Sequence, residues 1–173
     1  MFVFAQAPAE MTRDAFVARF GGVYEHSPWV AERAWDAGLG EETATAGGLS
    51  GALHAQVAAA SEDERLALLR AHPDLAGRLA LAGELSADST AEQAGAGLDR
   101  CTPQELEEFQ ALNERYKTRF GFPYILAIKG RHREQILENF RARVENDPEA
   151  EFEEAIEQVR RIALLRLEAM AEG

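Results

Sequence analysis

Cysteine occurs once among the 173 residues, at Cys101. A lone thiol cannot close an internal disulfide, so a reducing compartment is expected and stability must come from a core. Histidine is nearly as scarce. His26, His54, His72 and His132 lie far apart, and none stands in an H-E-x-x-H, E-x-x-H or C-x-x-C pattern, so no metal site is expected. Gly95 and Gly97 lack a following Lys-Ser/Thr and a preceding strand, which argues against a phosphate loop, and no G-x-S-x-G nucleophile elbow occurs. With the common cofactor motifs missing, no cofactor is expected.

Long apolar runs are missing too, and none approaches the roughly 20 residues of a membrane span. Met1 to Gln6 has no basic flank and is short for a secretory segment, while Met170 to Gly173 is no peroxisomal address. A soluble, cytoplasmic protein is the expectation. Basic residues are in deficit, 18 Lys and Arg against 30 Asp and Glu, for a formal charge of −12. Phosphate backbones and anionic membranes repel such a surface, so neither nucleic acid nor membrane is an expected partner. A small anionic substrate would need a local arginine or lysine set against the global field.

What is present is hydrophobic and helical. Hydrophobic residues make up 46% of the chain, and a chain of this size buries roughly 70% of its unfolded surface, enough for a core without staples. Phe16, Val17 and Phe20 form an apolar face ending at Gly21-Gly22. Ser27-Pro28 reads as a cap opening a helix through Trp29, Val30, Ala34 and Trp35, stopped by Gly38. Leu53, Val57 and Ala60 mark a third helix, and Ser61 with Glu64 forms a capping box for a fourth that ends near His72, ahead of Pro73. Leu75 to Leu81 reads as a short helical turn. Thr102 and Glu105 open a helix through Leu106, Phe109, Leu112 and Tyr116. Phe122 to Ile128 is apolar but would stand alone as a strand, so it reads as a buried irregular segment. Two long helices follow, about 131–144 and 148–171. The expected fold is all-α, one multi-helix domain over residues 1–173.

Three places have residues suited to chemistry. His72 precedes Pro73 at a helix end, so its backbone is constrained and its imidazole titrates near neutrality, as a general acid or base requires. A partly exposed helix-terminal histidine is the structural alternative. Ser89-Thr90-Ala91-Glu92-Gln93 has the form of a capping box, Ser89 capping and Glu92 closing it. The free amides of such a helix start would dock a carboxylate or carbonyl oxygen. Arg166 falls on the apolar stripe of Ala155, Val159, Ile162, Ala163 and Met170, where it needs a partner, snorkels to water or binds an anion. Arg161 points about 140° away and is expected to be solvated.

Taken in order, the segments Phe20–Trp29, Ala71–Gly77, Ser89–Gln93 with Ala96-Gly97-Leu98, Asn113–Tyr116 leading to Phe120–Ile125, and Arg161–Leu167 resemble the 2-oxo-4-hydroxy-4-carboxy-5-ureidoimidazoline (OHCU) decarboxylase family of urate breakdown. The blocks run from about residue 12 to 168. No single block is decisive, but the ordered set is specific. The resemblance implies an all-helical fold, no cofactor or metal, and conversion of OHCU to (S)-allantoin with loss of carbon dioxide. His72 corresponds to the catalytic histidine, with Glu92 the second catalytic candidate. Pro73, Ser89, Thr90, Ala91, Glu92 and Gln93, the segment Tyr124, Ile125, Leu126, Ala127 and Ile128, and Arg166 correspond to substrate-binding positions. Tyr124 departs from the frequent Phe. A ureidoimidazoline is the implied small-molecule partner, and a homodimer is compatible with the family. Two alternatives remain open at this point: a helical interaction module without chemistry, and another ureide-processing enzyme on the same scaffold. An enzyme should gather His72 and Glu92 at one place, whereas a binding module has no reason to.

Overall fold

Thr12, Thr45, Ser61, Ser86 and Thr102 each accept, on a side-chain oxygen, the backbone N–H three residues ahead, and a helix starts after each of them. Such a cap satisfies one of the four orphan amides of a helix start and is worth about 1 kcal/mol. At Ser61 and Thr102 the glutamate three residues on returns the bond, completing two of the three expected capping boxes.

The computed structural model describes residues 1–76 and 86–173. The turn expected over Leu75–Leu81 lies mostly outside the described residues. Along the described chain the helices are α1 (Arg13–Phe20), α2 (Trp29–Ala37), α3 (Ala46–Ala59), α4 (Glu62–Arg70), α5 (Ala87–Gly95), α6 (Pro103–Phe120), α7 (Arg133–Arg143) and α8 (Pro148–Glu172). Among the described residues no strand occurs beyond one bridge between Val3 and Thr45. The fold is all-α, and Phe122–Ile128 is the buried irregular segment its isolation implied.

Two helix starts differ from expectation. Ser27 does not cap α2. Its hydroxyl donates backward to the Glu25 carbonyl, and Pro28 occupies the cap position with helical dihedrals. Ser89 does not cap α5 either. The helix begins three residues earlier, after Ser86, whose hydroxyl oxygen accepts the Ser89 N–H at 3.2 Å.

The chain divides into two compact units, Met1–Ala71 with Val159–Gly173, and His72–Gln158. The first is cored by Phe16, Phe20, Leu49, Leu53, Leu69 and Leu167, with Phe4 set edge-on to Phe20. The second is cored by aromatic side chains. Tyr116 on α6 meets Phe122, Tyr124 and Phe140, and Tyr124 stacks flat on Phe140 at 3.8 Å between ring centroids. Aromatic pairs of this kind add about 0.5–1.5 kcal/mol beyond their burial. They also fix the Tyr124 end of the irregular segment against α6 and α7.

Candidate active site

Helix α4 ends at Arg70, as the Pro73 ring requires of the residues before it, and the chain turns through Ala71 into His72, which is buried. The loop that follows is held by side chains at three successive residues. The Gln93 carboxamide accepts the Ala76 N–H at 3.0 Å and donates to the Asp74 carbonyl at 3.3 Å. Asn113 Nδ2 donates to the Leu75 carbonyl at 3.0 Å, and Lys117 Nζ pairs with the Asp74 carboxylate at 2.7 Å. Ala76 sits at φ 50°, a left-handed conformation that costs an L residue about 1–2 kcal/mol. The bonds to Asp74, to Leu75 and to its own N–H sustain that geometry.

Helix α5 carries the second group of candidates. Gln93 and Ser89 are buried, Glu92 is half-buried, and Thr90 and Ala91 are exposed. Thr90 turns its hydroxyl back to the Ser86 carbonyl. Because Ser86 caps the helix and takes up the Ser89 amide, docking of an anion on free amides at Ser89 is not available. What α5 offers at Ser89–Gln93 is its side chains. Gln93 ties the helix that bears Glu92 to the loop that follows His72.

The third group is the segment Tyr124–Ile128, buried except for half-buried Ala127. Its backbone is gripped at alternate residues. Arg143 Nη1 donates to the Ile125 carbonyl at 2.6 Å, and Gln158 Oε1 accepts the Ala127 N–H at 3.0 Å. Among the described residues no group accepts the Leu126 or Ile128 N–H. Buried amides without an acceptor are costly, and they are suitable donors to a carbonyl-bearing ligand. The Tyr124 hydroxyl donates to Asn139, and burial pushes it well above the ordinary tyrosine range, so it stays a neutral donor.

Beneath this segment lies a buried ion pair. Arg143 Nε and Nη2 bond the Glu151 carboxylate at 3.0 to 3.2 Å, and Tyr116 and Asn146 donate to the same carboxylate. Burial alone would raise the Glu151 carboxyl, but the bonds from Arg143 and Tyr116 outweigh it and hold the group below the usual range. Burial likewise opposes the charge on Arg143, and the Glu151 bonds overcome it.

Arg166 belongs to the first unit, and its burial on the apolar stripe matches the helical wheel. It does not snorkel. Its Nη1 donates to Glu25 Oε2 at 2.8 Å and to the Val23 carbonyl at 3.2 Å. Glu25 is itself buried in the turn between α1 and α2, where His26 adopts φ 49°. Arg161 is exposed, as expected.

Sequence reasoning missed Glu25, Asn113, Lys117, Arg143, Glu151 and Gln158. For Arg143 a signal exists: it follows Phe140 by three and Ile136 by seven, on the buried face of α7. Asn113 follows Phe109 by four in the same manner on α6. Among the described residues no group of three or more His, Cys, Asp or Glu is arranged to hold a metal ion.

Comparison with known proteins covers all these positions. A family model described as OHCU decarboxylase matches residues 9–168. The chain is 41% identical over 158 residues to the 2-oxo-4-hydroxy-4-carboxy-5-ureidoimidazoline decarboxylase of Halalkalicoccus jeotgali, covering 91% of this chain and 86% of that one. It is 43% identical over 154 residues to the protein of the same name from Haloferax volcanii, covering 89% and 88%. The crystal structure of an (S)-allantoin synthase superposes with a TM-score of 0.76 at 33% identity, covering 97% of this chain and 54% of that longer one. With the match extending through the His72 loop, α5, the Tyr124–Ile128 segment and Arg166, the chain belongs to the OHCU decarboxylase family.

Proposed function

We propose that this protein decarboxylates OHCU to (S)-allantoin, without a cofactor, as a step of urate degradation. The observation that carries the reading is the family match over residues 9–168, which spans every candidate group. The geometry of the second unit supports it, because the His72 loop, the helix bearing Glu92 and the Tyr124–Ile128 segment are braced by side chains of α5–α8.

The chemistry asks for little beyond positioned polar groups. When the bond to the carboxylate carbon breaks, its electron pair forms a C=C bond to the ureido-bearing carbon, the C=N π pair moves onto the ring nitrogen, which takes a proton from water, and an enol remains as carbon dioxide leaves. The hydroxyl then becomes a carbonyl by losing its proton, and one face of the ureido-bearing carbon receives a proton. His72 polarises the hydroxyl and relays the proton, a form of acid–base help worth about 10²–10⁴-fold. Glu92 accepts ureido or ring N–H groups. Gln93 has committed one donor and one lone pair to the loop and keeps a second N–H for a substrate oxygen. The Leu126 and Ile128 amides donate to ring carbonyls, and Pro73 and Ser89–Ala91 line the substrate. Single-face protonation gives one enantiomer.

The lone Cys101 and the charge of −12 support a cytoplasmic protein that does not bind nucleic acid, and a homodimer is compatible with the reading. Among the described residues no helix is long and apolar enough to cross a membrane. The test is chiral. Freshly made OHCU is followed by circular dichroism with and without protein, since spontaneous decay yields racemic allantoin. A dichroic signal of the S product supports the reading. Racemic product formed at the spontaneous rate overturns it.

A further inference from the structure

Arg143 and Glu151 are 5% and 0% exposed. A buried ion pair contributes little net stability, because the cost of desolvating two charges offsets their attraction. Apolar residues of similar volume often serve as well or better. Stability is therefore a weak reason for this pair. A hydrocarbon pair could not do what the remaining guanidinium nitrogen does. Arg143 Nη1 donates to the Ile125 carbonyl at 2.6 Å, and the guanidinium lies 4.7 Å from the centroid of the Tyr124 ring. Both contacts fall on the first two residues of Tyr124–Ile128, and Gln158 holds the Ala127 amide further along. Glu151 leaves Arg143 no freedom to move, since the carboxylate engages two of its nitrogens and is itself fixed by Tyr116 and Asn146.

We infer that Arg143 is a positioning residue: clamped by Glu151, it sets the backbone of Tyr124–Ile128 so that the Leu126 and Ile128 amides present themselves to the substrate ring. Arg143 touches no substrate, and its effect travels through the Ile125 carbonyl. The inference rests on the proposal that this segment binds OHCU, so the experiment reads the two separately.

The first variant replaces the charges and their hydroxyl partner together, Tyr116→Phe, Arg143→Met and Glu151→Leu. The core then stays apolar and no stranded charge remains. The expected result is a folded protein with kcat/KM for OHCU lowered about tenfold or more, mostly through KM. In ¹⁵N-labelled protein without ligand, the Leu126 and Ile128 amide signals should shift or broaden, while those of α1–α3 stay in place. Arg143→Lys is the second variant and decides the matter if the first does not fold. A single ammonium cannot reproduce both the paired bonds to Glu151 and the bond to Ile125, so the same amide changes and loss in KM are expected. Unchanged amides together with wild-type kcat/KM in a folded variant overturn the inference. Titration of (S)-allantoin into wild-type protein tests the underlying reading. If Leu126 and Ile128 do not respond, the segment is not the binding site, while the ligand-free spectra still judge whether Arg143 positions it.

Discussion

The side-chain oxygen of Gln93 accepts the N–H of Ala76 at 3.0 Å, and Ala76 is the residue held at φ 50° four positions after His72. One buried amide thus stabilises an unfavourable backbone turn beside the proposed catalytic group. Gln93→Leu keeps the volume but strands the Ala76 N–H and leaves the Asp74 carbonyl without its donor. A loss of about 1–3 kcal/mol in unfolding free energy is expected, accompanied by a fall in turnover. Ala76→Gly should go the other way in the folded state, since glycine adopts the left-handed region without the penalty of about 1–2 kcal/mol. Denaturant melts and OHCU turnover on both variants check this. A Gln93→Leu protein as stable and active as wild type would refute the bracing role.

His72 sits where helix α4 has ended and before the braced loop, and its replacement should leave the fold intact. His72→Asn is expected to melt like wild type and to lose at least about 10²-fold in turnover, the lower end for a general acid or base. Near-normal turnover in a folded variant would remove His72 from the mechanism.

Ser86, not Ser89, caps α5, and this separates stability from chemistry on one short helix. Ser86→Ala should cost about 1 kcal/mol with little change in turnover, as loss of a cap does. Glu92→Gln, past the first turn and outside any capping box, should cost little stability and lower activity substantially. Thermal melts and rates measured on the same preparations decide it. An active Glu92→Gln enzyme would end the catalytic assignment.

Which parts were legible in the sequence follows from the range of the interactions. Ser61 and Thr102 were readable because a capping box lies within four residues. Ser86 and Ser89 show the limit of that grammar. Both are serines ahead of a polar turn, Ser89 alone has a glutamate three residues on, and the helix nevertheless starts at Ser86. Arg166 was readable as a buried charge from its place on the wheel, but Glu25 lies 141 residues away and no periodicity points to it. Gln93, Asn113 and Lys117 reach the His72 loop from sequence distances of 17 to 43 residues, which only the folded second unit brings together. The family resemblance marked the candidate site segments, and the groups that hold them in place emerged from packing alone.

The buried pairing of Arg166 with Glu25 changes what its replacement should do. If Arg166 lay on the stripe with its head in water, Arg166→Met would be nearly harmless. In the structure the substitution takes the guanidinium away from a buried carboxylate, and breaking a buried pair from one side costs about 3–5 kcal/mol. Arg166→Met should therefore be strongly destabilised, and its loss of activity would be uninformative alone. Arg166→Met combined with Glu25→Gln removes the carboxylate that pairs with Arg166 and should recover much of the stability. If Arg166 binds an anionic group of OHCU, that double variant stays inactive despite folding. Arg166→Lys, which keeps the charge but loses the planar fork, should also be impaired, chiefly in KM. Arg161→Lys, on the exposed face, should behave as wild type. Unfolding free energies and steady-state rates with optically resolved product separate these outcomes. A stable, active double variant would show that Arg166 serves the fold and not the substrate, and an impaired Arg161→Lys would move the substrate contact to the other arginine.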